Sequence, residues 1–197
     1  MKITLKDGVV KEFDNAVSVY DIAKSISEGL ARNACAGIVN GETKDLRFVV
    51  ENDAEVSICT FDDEEGKQAF RHTASHVMAQ AIKRLYPDTK LAIGPSIAEG
   101  FYYDFDREKP FSPEELEEIE KEMKKIAKED LKLERFELPR AEAIKLMEEK
   151  GEPYKVELIN DLPEDAIISF YKQGEFTDLC AGPHLMSTKP IKAIKLT

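Results

Sequence analysis

The chain has 197 residues, 42% of them hydrophobic, so it is long enough to bury a core and too apolar for extended disorder. Its formal charge of −11 counts against a protein that grips nucleic acid mainly through phosphates, so any RNA contact must use local basic spots or surface from another part of the molecule. No stretch approaches the ~20 apolar residues of a membrane helix, the polar start has no signal-peptide core, and three scattered cysteines make no even disulfide framework, which predicts a cytoplasmic protein without membrane attachment.

Residues 1–62 read as one small α+β module. Residues 2–5 alternate as a strand, Asp7-Gly8 is a two-residue hairpin signal, and residues 9–13 form the returning strand. Ser18 predicts the cap of a helix with Val19, Ile22, Ala23 and Ile26 on one face, ending near Gly29. A short apolar strand at 36–39 precedes the Asn40-Gly41 turn, and strands at 46–50 and 54–60 complete a unit of the β-grasp kind. It holds no histidine and no carboxylates clustered around a base, so it reads as a binding module rather than an enzyme.

Residues 62–66, Asp-Asp-Glu-Glu-Gly, are charged enough for a linker, and a larger α+β domain is expected over 63–197. Residues 68–86 predict a helix stopped by Pro87. Strands are expected at 91–95 and at 100–105, the second rich in aromatics. Ser112-Pro113-Glu114-Glu115 is a helix start with a hydroxyl cap, and Leu116, Ile119, Met123 and Ile126 then make one apolar stripe. Residues 140–150 predict another helix, ended by Gly151, and strands are expected at 155–158, 167–171 and 191–196. The strand-like finish predicts a boundary cut from a longer chain.

All three histidines fall in two motifs. His72 and His76, in Arg-His-Thr-Ala-Ser-His, lie one helical turn apart on one face. Cys180 and His184, in Asp-Leu-Cys-Ala-Gly-Pro-His, sit on a sharply turned loop that Gly182-Pro183 keeps from continuing as a helix. Three imidazoles and a thiol are a donor set suited to zinc. No Glu follows His72, so the zinc-protease pattern fails. Asp178 is an anion two residues before Cys180 that can meet an ammonium. The aromatic run at 101–103 reads either as core packing or as a face for a base to stack on, and Lys155 alone reads as a surface lysine.

At these residues the chain resembles the threonyl-tRNA synthetase family. The matching strings are the His72–His76 motif, Ala92-Ile93-Gly94-Pro95, Gly100-Phe101-Tyr102-Tyr103-Asp104, Tyr154-Lys155-Val156 and the Asp178–His184 motif. The resemblance covers essentially the whole chain. It implies a ubiquitin-like TGS module over 1–62 and, over 63–197, an editing domain with a mainly antiparallel sheet and packed helices. It further implies hydrolysis of seryl-tRNA(Thr), because a threonine pocket rejects a substrate lacking one methyl by only ~1–3 kcal/mol.

In family terms His72 and Lys155 hold or activate the water, Cys180 lines the site, and Asp178 binds the substrate ammonium or hydroxyl. Tyr103 meets the terminal adenosine, Gly94 is a further substrate-binding residue, and His76 and His184 complete the pocket. The implied partners are the acceptor end of tRNA(Thr) and the remaining synthetase chain, in full-length members that are homodimers. The aminoacylation domain, with its ATP site, is expected beyond residue 197. Editing in the family requires no metal, although His72, His76, Cys180 and His184 could take zinc. The competing readings are a non-catalytic RNA-binding TGS module with a structural zinc site, a free-standing editing enzyme, and a small-ester metallohydrolase.

Overall fold

Alternation and tight turns in the first sixty residues build a mixed sheet. β1 (Lys2–Leu5) turns through Gly8, at φ 84°, into antiparallel β2 (Val10–Glu12). β3 (Val17–Ser18) leads into α1 (Val19–Ile26), where the Ser18 hydroxyl accepts from the Asp21 N–H at 3.0 Å and so satisfies one of the unpaired donors of the first turn. α1 stops before Gly29. Ser27, in extended backbone, ends it and caps a second helix, α2 (Glu28–Asn33).

β4 (Ala34–Val39), β5 (Glu42–Lys44), β6 (Val49–Val50) and β7 (Ala54–Thr60) follow, and the five-stranded order is β2-β1-β7-β4-β5. Only β1 and β7 run parallel, side by side at the centre, as a β-grasp requires. Val19, Ile22 and Ala23 of α1 bury against Ile3, Val39 and Val56 of the sheet. The packing is so close that a Cβ at Gly37 would come within 2.4 Å of the Val19 side chain.

The structure is a computed structural model that describes residues 1–197. These form two compact units, 1–72 with 182–186 and 73–181 with 187–197. α3 (Glu64–Leu85) begins inside the acidic stretch read as a linker. The Asp63 carboxylate accepts from the Thr60 N–H at 2.8 Å, and acids in a first helical turn complement the helix dipole, so this charge run starts a helix. Gly66 is required there, because a Cβ would meet the Thr60 carbonyl oxygen at 1.8 Å.

The second unit contains four two-residue strands, β8 (Lys90–Leu91), β9 (Ser96–Ile97), β10 (Gly100–Phe101) and β11 (Phe105–Asp106), paired as β8 with β11 and β9 with β10. The predicted strands at 91–95 and 100–105 are thus each broken in two. α4 (Pro113–Glu129) has the full capping box between Ser112 and Glu115 and buries Ile119, Met123 and Ile126. β12 (Leu133–Glu137), α5 (Arg140–Glu149), α6 (Pro153–Asp161), β13 (Ser169–Gln173) and β14 (Phe176–Leu179) complete the unit, the strands forming an antiparallel sheet β12-β13-β14. Ala143, Met147, Ile159, Ile168 and Phe170 form a core between α5, α6 and this sheet. The fold is mixed helix and strand with mainly antiparallel sheets.

Further expectations change here. Residues 155–158 are helical, because Pro153 at the first position of α6 presets its φ and needs no donor. Residues 191–196 form no strand; Ile191 is buried and the rest of the stretch is irregular. β12 was not anticipated, since Leu133-Glu134-Arg135-Phe136-Glu137 has too few apolar residues to show a period of two.

Candidate active site

α3 carries both helical histidines, and a spacing of four on one helix sets them a turn apart. His76 is 3% exposed, while His72 is half-buried. Within the first unit, the His72 ring lies over that of His184 with centroids 4.1 Å apart and planes tilted by 33°. The loop that brings His184 there turns through Gly182, at φ 81°, and a cis bond to Pro183. It is held by the stretch after β5. The His184 N–H donates to the Asp45 carboxylate at 3.3 Å, and Arg47 donates to the Leu185 carbonyl at 2.9 Å while pairing with Asp45 at 2.7 Å. Met186 packs on the β-grasp core.

Within the second unit, β14 delivers Asp178 and leads into Cys180, which is pinned in both directions to Ser169 of β13: the Cys180 N–H donates to the Ser169 carbonyl at 3.0 Å, and the Ser169 hydroxyl donates to the Cys180 carbonyl at 2.7 Å. Asp178 is 2% exposed and Lys155, in the first turn of α6, is 3% exposed. The Lys155 ammonium donates to Asp178 Oδ1 at 2.8 Å and to the Tyr103 hydroxyl at 2.9 Å, and that hydroxyl donates to Asp178 Oδ2 at 2.5 Å. His76 Nε2 lies 3.7 Å from the same oxygen. Lys155 is therefore no surface lysine. A buried cation persists only when paired, and Asp178 supplies the pair.

Burial works against the Asp178 carboxylate, but Lys155, His76 and the two hydrogen bonds outweigh it and hold its pKa below the ordinary value. Burial, then the Asp178 charge, pushes the Tyr103 hydroxyl well above the usual phenol range, so it is a neutral donor. Tyr103 is 7% exposed and stacks on Phe105 with centroids 4.9 Å apart. Gly94 makes room for it: a Cβ there would fall 2.0 Å from the Tyr103 ring. The Gly94 carbonyl accepts from the Ser75 hydroxyl at 2.7 Å, which ties this loop to α3 one residue before His76.

His72 and His184 lie in the first unit, His76 and Cys180 in the second. Two imidazoles from one helix and a third imidazole and a thiol from one loop are chemically apt for zinc. All eight residues singled out in the sequence have a described place here, and three of them, Tyr103, Lys155 and Asp178, close into one buried hydrogen-bonded triangle.

Sequence reasoning missed the residues that position this group. Glu152, 4% exposed, accepts from the Leu91 N–H at 2.8 Å and pairs with Lys83 at 2.7 Å, while its carbonyl takes the Lys155 N–H at 3.1 Å. One residue thus joins the helix of His76, the strand before Gly94 and the turn of Lys155. The signal was there: an acid immediately before a proline at a helix start. Asp45 and Arg47 carried no signal, because the groups they hold lie some 140 residues away in the chain.

Comparison with known proteins bears on the same residues. Residues 1–60 match the TGS domain, and residues 168–197, which include Asp178, Cys180 and His184, match the Threonyl and Alanyl tRNA synthetase second additional domain. A Threonine--tRNA ligase of Clostridium botulinum (strain Eklund 17B / Type B) is 70% identical over 196 residues, covering 100% of this chain and 30% of that protein. The corresponding ligases of Acetivibrio thermocellus and Clostridioides difficile are 67% and 66% identical over 196 residues, each with 100% of this chain and 31% of the relative covered. The chain thus spans about three tenths of the length of these relatives. No helix is long and apolar enough to cross a membrane.

Proposed function

From a chain that carries a TGS domain and aligns along its whole length with the amino-terminal region of threonine–tRNA ligases, we propose an aminoacyl-tRNA deacylase that hydrolyses seryl-tRNA(Thr) to serine and tRNA(Thr). The observation that carries the reading is the buried Lys155–Asp178–Tyr103 triangle, which continues along β14 to the thiol of Cys180. Its partners in this role are the acceptor end of tRNA(Thr) and the rest of the synthetase chain.

Ester hydrolysis asks for three things: an anion to hold the α-ammonium, a base to take a proton from water, and a donor for the carbonyl oxygen as negative charge develops on it. Asp178 is the anion. A carboxylate offers about four acceptor positions, so it can take the substrate ammonium while keeping Tyr103 and Lys155. His72, half-buried and lying on the His184 ring, is the base. Lys155, fixed at 2.8 Å from Asp178, is the donor to the developing oxyanion. The bond from the water oxygen to the carbonyl carbon forms, the bond to the ribose oxygen breaks, and the ribose hydroxyl leaves with a proton returned from the imidazolium. Cys180 and His76 wall the acyl group, and Tyr103, its hydroxyl committed to Asp178, orients the carboxylate beneath the terminal adenosine.

Three imidazoles and a thiol fit zinc by their donor chemistry, and His72, His76, Cys180 and His184 are the residues that would hold it. A bound zinc lowers the pKa of its water to about 7. The residue roles above need no such ion.

The test is deacylation of seryl-tRNA(Thr) beside threonyl-tRNA(Thr) by the wild type, Cys180→Ala, His72→Ala and Lys155→Ala. Fast loss of serine alone is the expected result, cut by about 10²–10⁴ in His72→Ala, the usual worth of a positioned proton-transfer group, and by about 10²–10³ in Lys155→Ala, the usual worth of an oxyanion donor. Unchanged rates in all three variants overturn the assignment. A chelated protein that unfolds, and regains its fold only with zinc, supports the non-catalytic zinc-site reading instead.

A further inference from the structure

The second unit presents a lysine-walled groove of about 520 Å³ on a chain whose net charge is −11. Lys124 and Lys128, one turn apart on α4, form one wall; Lys189 and Lys192 form the other; Ala127, 5% exposed, is the floor. α4 is otherwise rich in acid, yet its nearby carboxylates are committed elsewhere. Glu120 accepts from the Leu196 N–H at 2.8 Å and pairs with Lys195 at 3.1 Å; Glu122 pairs with Lys125 and Arg84 at 2.8 and 3.2 Å; Glu129 pairs with Arg84 at 2.8 Å. Asp130 takes Lys189 at 3.1 Å. Lys124, Lys128 and Lys192 are left without a carboxylate within ion-pair distance.

The second wall is anchored by hydrogen bonds although it lacks regular structure. The Thr188 hydroxyl donates to the Ile126 carbonyl at 2.9 Å and accepts from the Leu131 N–H at 3.0 Å, and the Thr188 N–H donates to the Leu131 carbonyl at 3.0 Å. Ile191 is 0% exposed. Lys189 and Lys192 thus flank a buried anchor and are held facing α4, which lowers the ordering cost of an anion spanning the groove.

We propose that this groove binds the phosphodiester backbone of tRNA, as a contact separate from the deacylation pocket. A backbone is the fitting occupant because it offers a row of phosphates to a row of cations, and each neutralised phosphate releases counterions. The inference rests on the tRNA-directed reading above. It answers the charge problem posed by the sequence: the basic surface that RNA needs is local, made by turning the carboxylates of α4 away.

The test is binding of uncharged tRNA(Thr) to the 197-residue chain between 50 and 200 mM KCl, for the wild type and for the triple variants K124E/K128E/K192E and K124Q/K128Q/K192Q, with K24E/K145E as control. The expected result is a slope of log K against log salt flatter by about two to three in the glutamine variant, each phosphate contributing about 0.7–0.9. The glutamate variant should also weaken binding at least tenfold at 50 mM, while the control matches the wild type. Circular dichroism confirms the folded state of each. A slope unchanged in both triple variants, or no tRNA binding by the wild type at 50 mM, overturns the proposal; the former is the result expected if an acidic protein face covers the groove. Equal loss of binding to heparin, a sulfated polyanion, and to tRNA supports a contact made by backbone charge rather than by base readout, and retention of tRNA with loss of heparin alone counts against it. Seryl-tRNA(Thr) hydrolysis that is lost in Lys155→Ala but kept in the triple variants separates failure here from failure of the deacylase reading.

Discussion

Lys155 and the lysines of the groove are one residue type in two environments within the same unit. Lys155 is 3% exposed and bound to a carboxylate and a phenol, and an unpaired charge at that depth would be strongly unfavourable. Lys124, Lys128 and Lys192 are exposed and lack such partners, because water already stabilises them. Burial forces a charge to be paired in advance, and the pair becomes part of the fold. Exposure lets charge stand ready for a mobile partner at little cost. The pocket should therefore couple stability to activity, and the groove should not.

The largest expected effect is at Asp178. Asp178→Ala leaves Lys155 buried without its anion, and breaking a buried pair typically costs about 3–5 kcal/mol. Urea unfolding should show that loss together with abolished deacylation, whereas Asp178→Asn with Lys155→Met should recover most of the stability and none of the activity. Full stability in Asp178→Ala would break the comparison.

Next is Glu152→Gln, which removes the charge facing Lys83 but keeps an acceptor for the Leu91 N–H. Deacylation should fall about tenfold through kcat, with KM little changed, because a group that only positions another affects the reacting geometry. A loss confined to KM would place Glu152 at the substrate instead.

A smaller effect tests the intermediate case, Arg84 with Glu175, where the acid is half in water. Hydrogen bonds from Arg84, acting against burial, hold the Glu175 carboxyl at about 2, below its ordinary 4.5. The stability it contributes is therefore fully present above pH 4.5 and is lost as the pH falls towards 2. With its side chain 58% exposed, the contribution should be under about 1 kcal/mol, seen as a shallower fall of Tm with acid in Glu175→Gln. The smallest effect belongs to the groove: K124Q/K128Q/K192Q should shift stability by less than about 0.5 kcal/mol.

Much of this was legible in the chain itself. Period-two runs, Asp7-Gly8, the Ser18 and Ser112 caps and the stripe on α4 act over a few residues, so local spacing fixed those elements and placed both histidine-bearing motifs. Where two local signals competed, the reading failed: Val156 and Leu158 suited a strand, but Pro153 started a helix, and that turn is what carries Lys155 inward. The Lys155–Asp178 pair joins residues 23 apart and Tyr103–Asp178 joins residues 75 apart. No periodicity records such distances, so the chain gave the types of the reactive groups, and only the packed core decided which of them are buried, paired and held in one place.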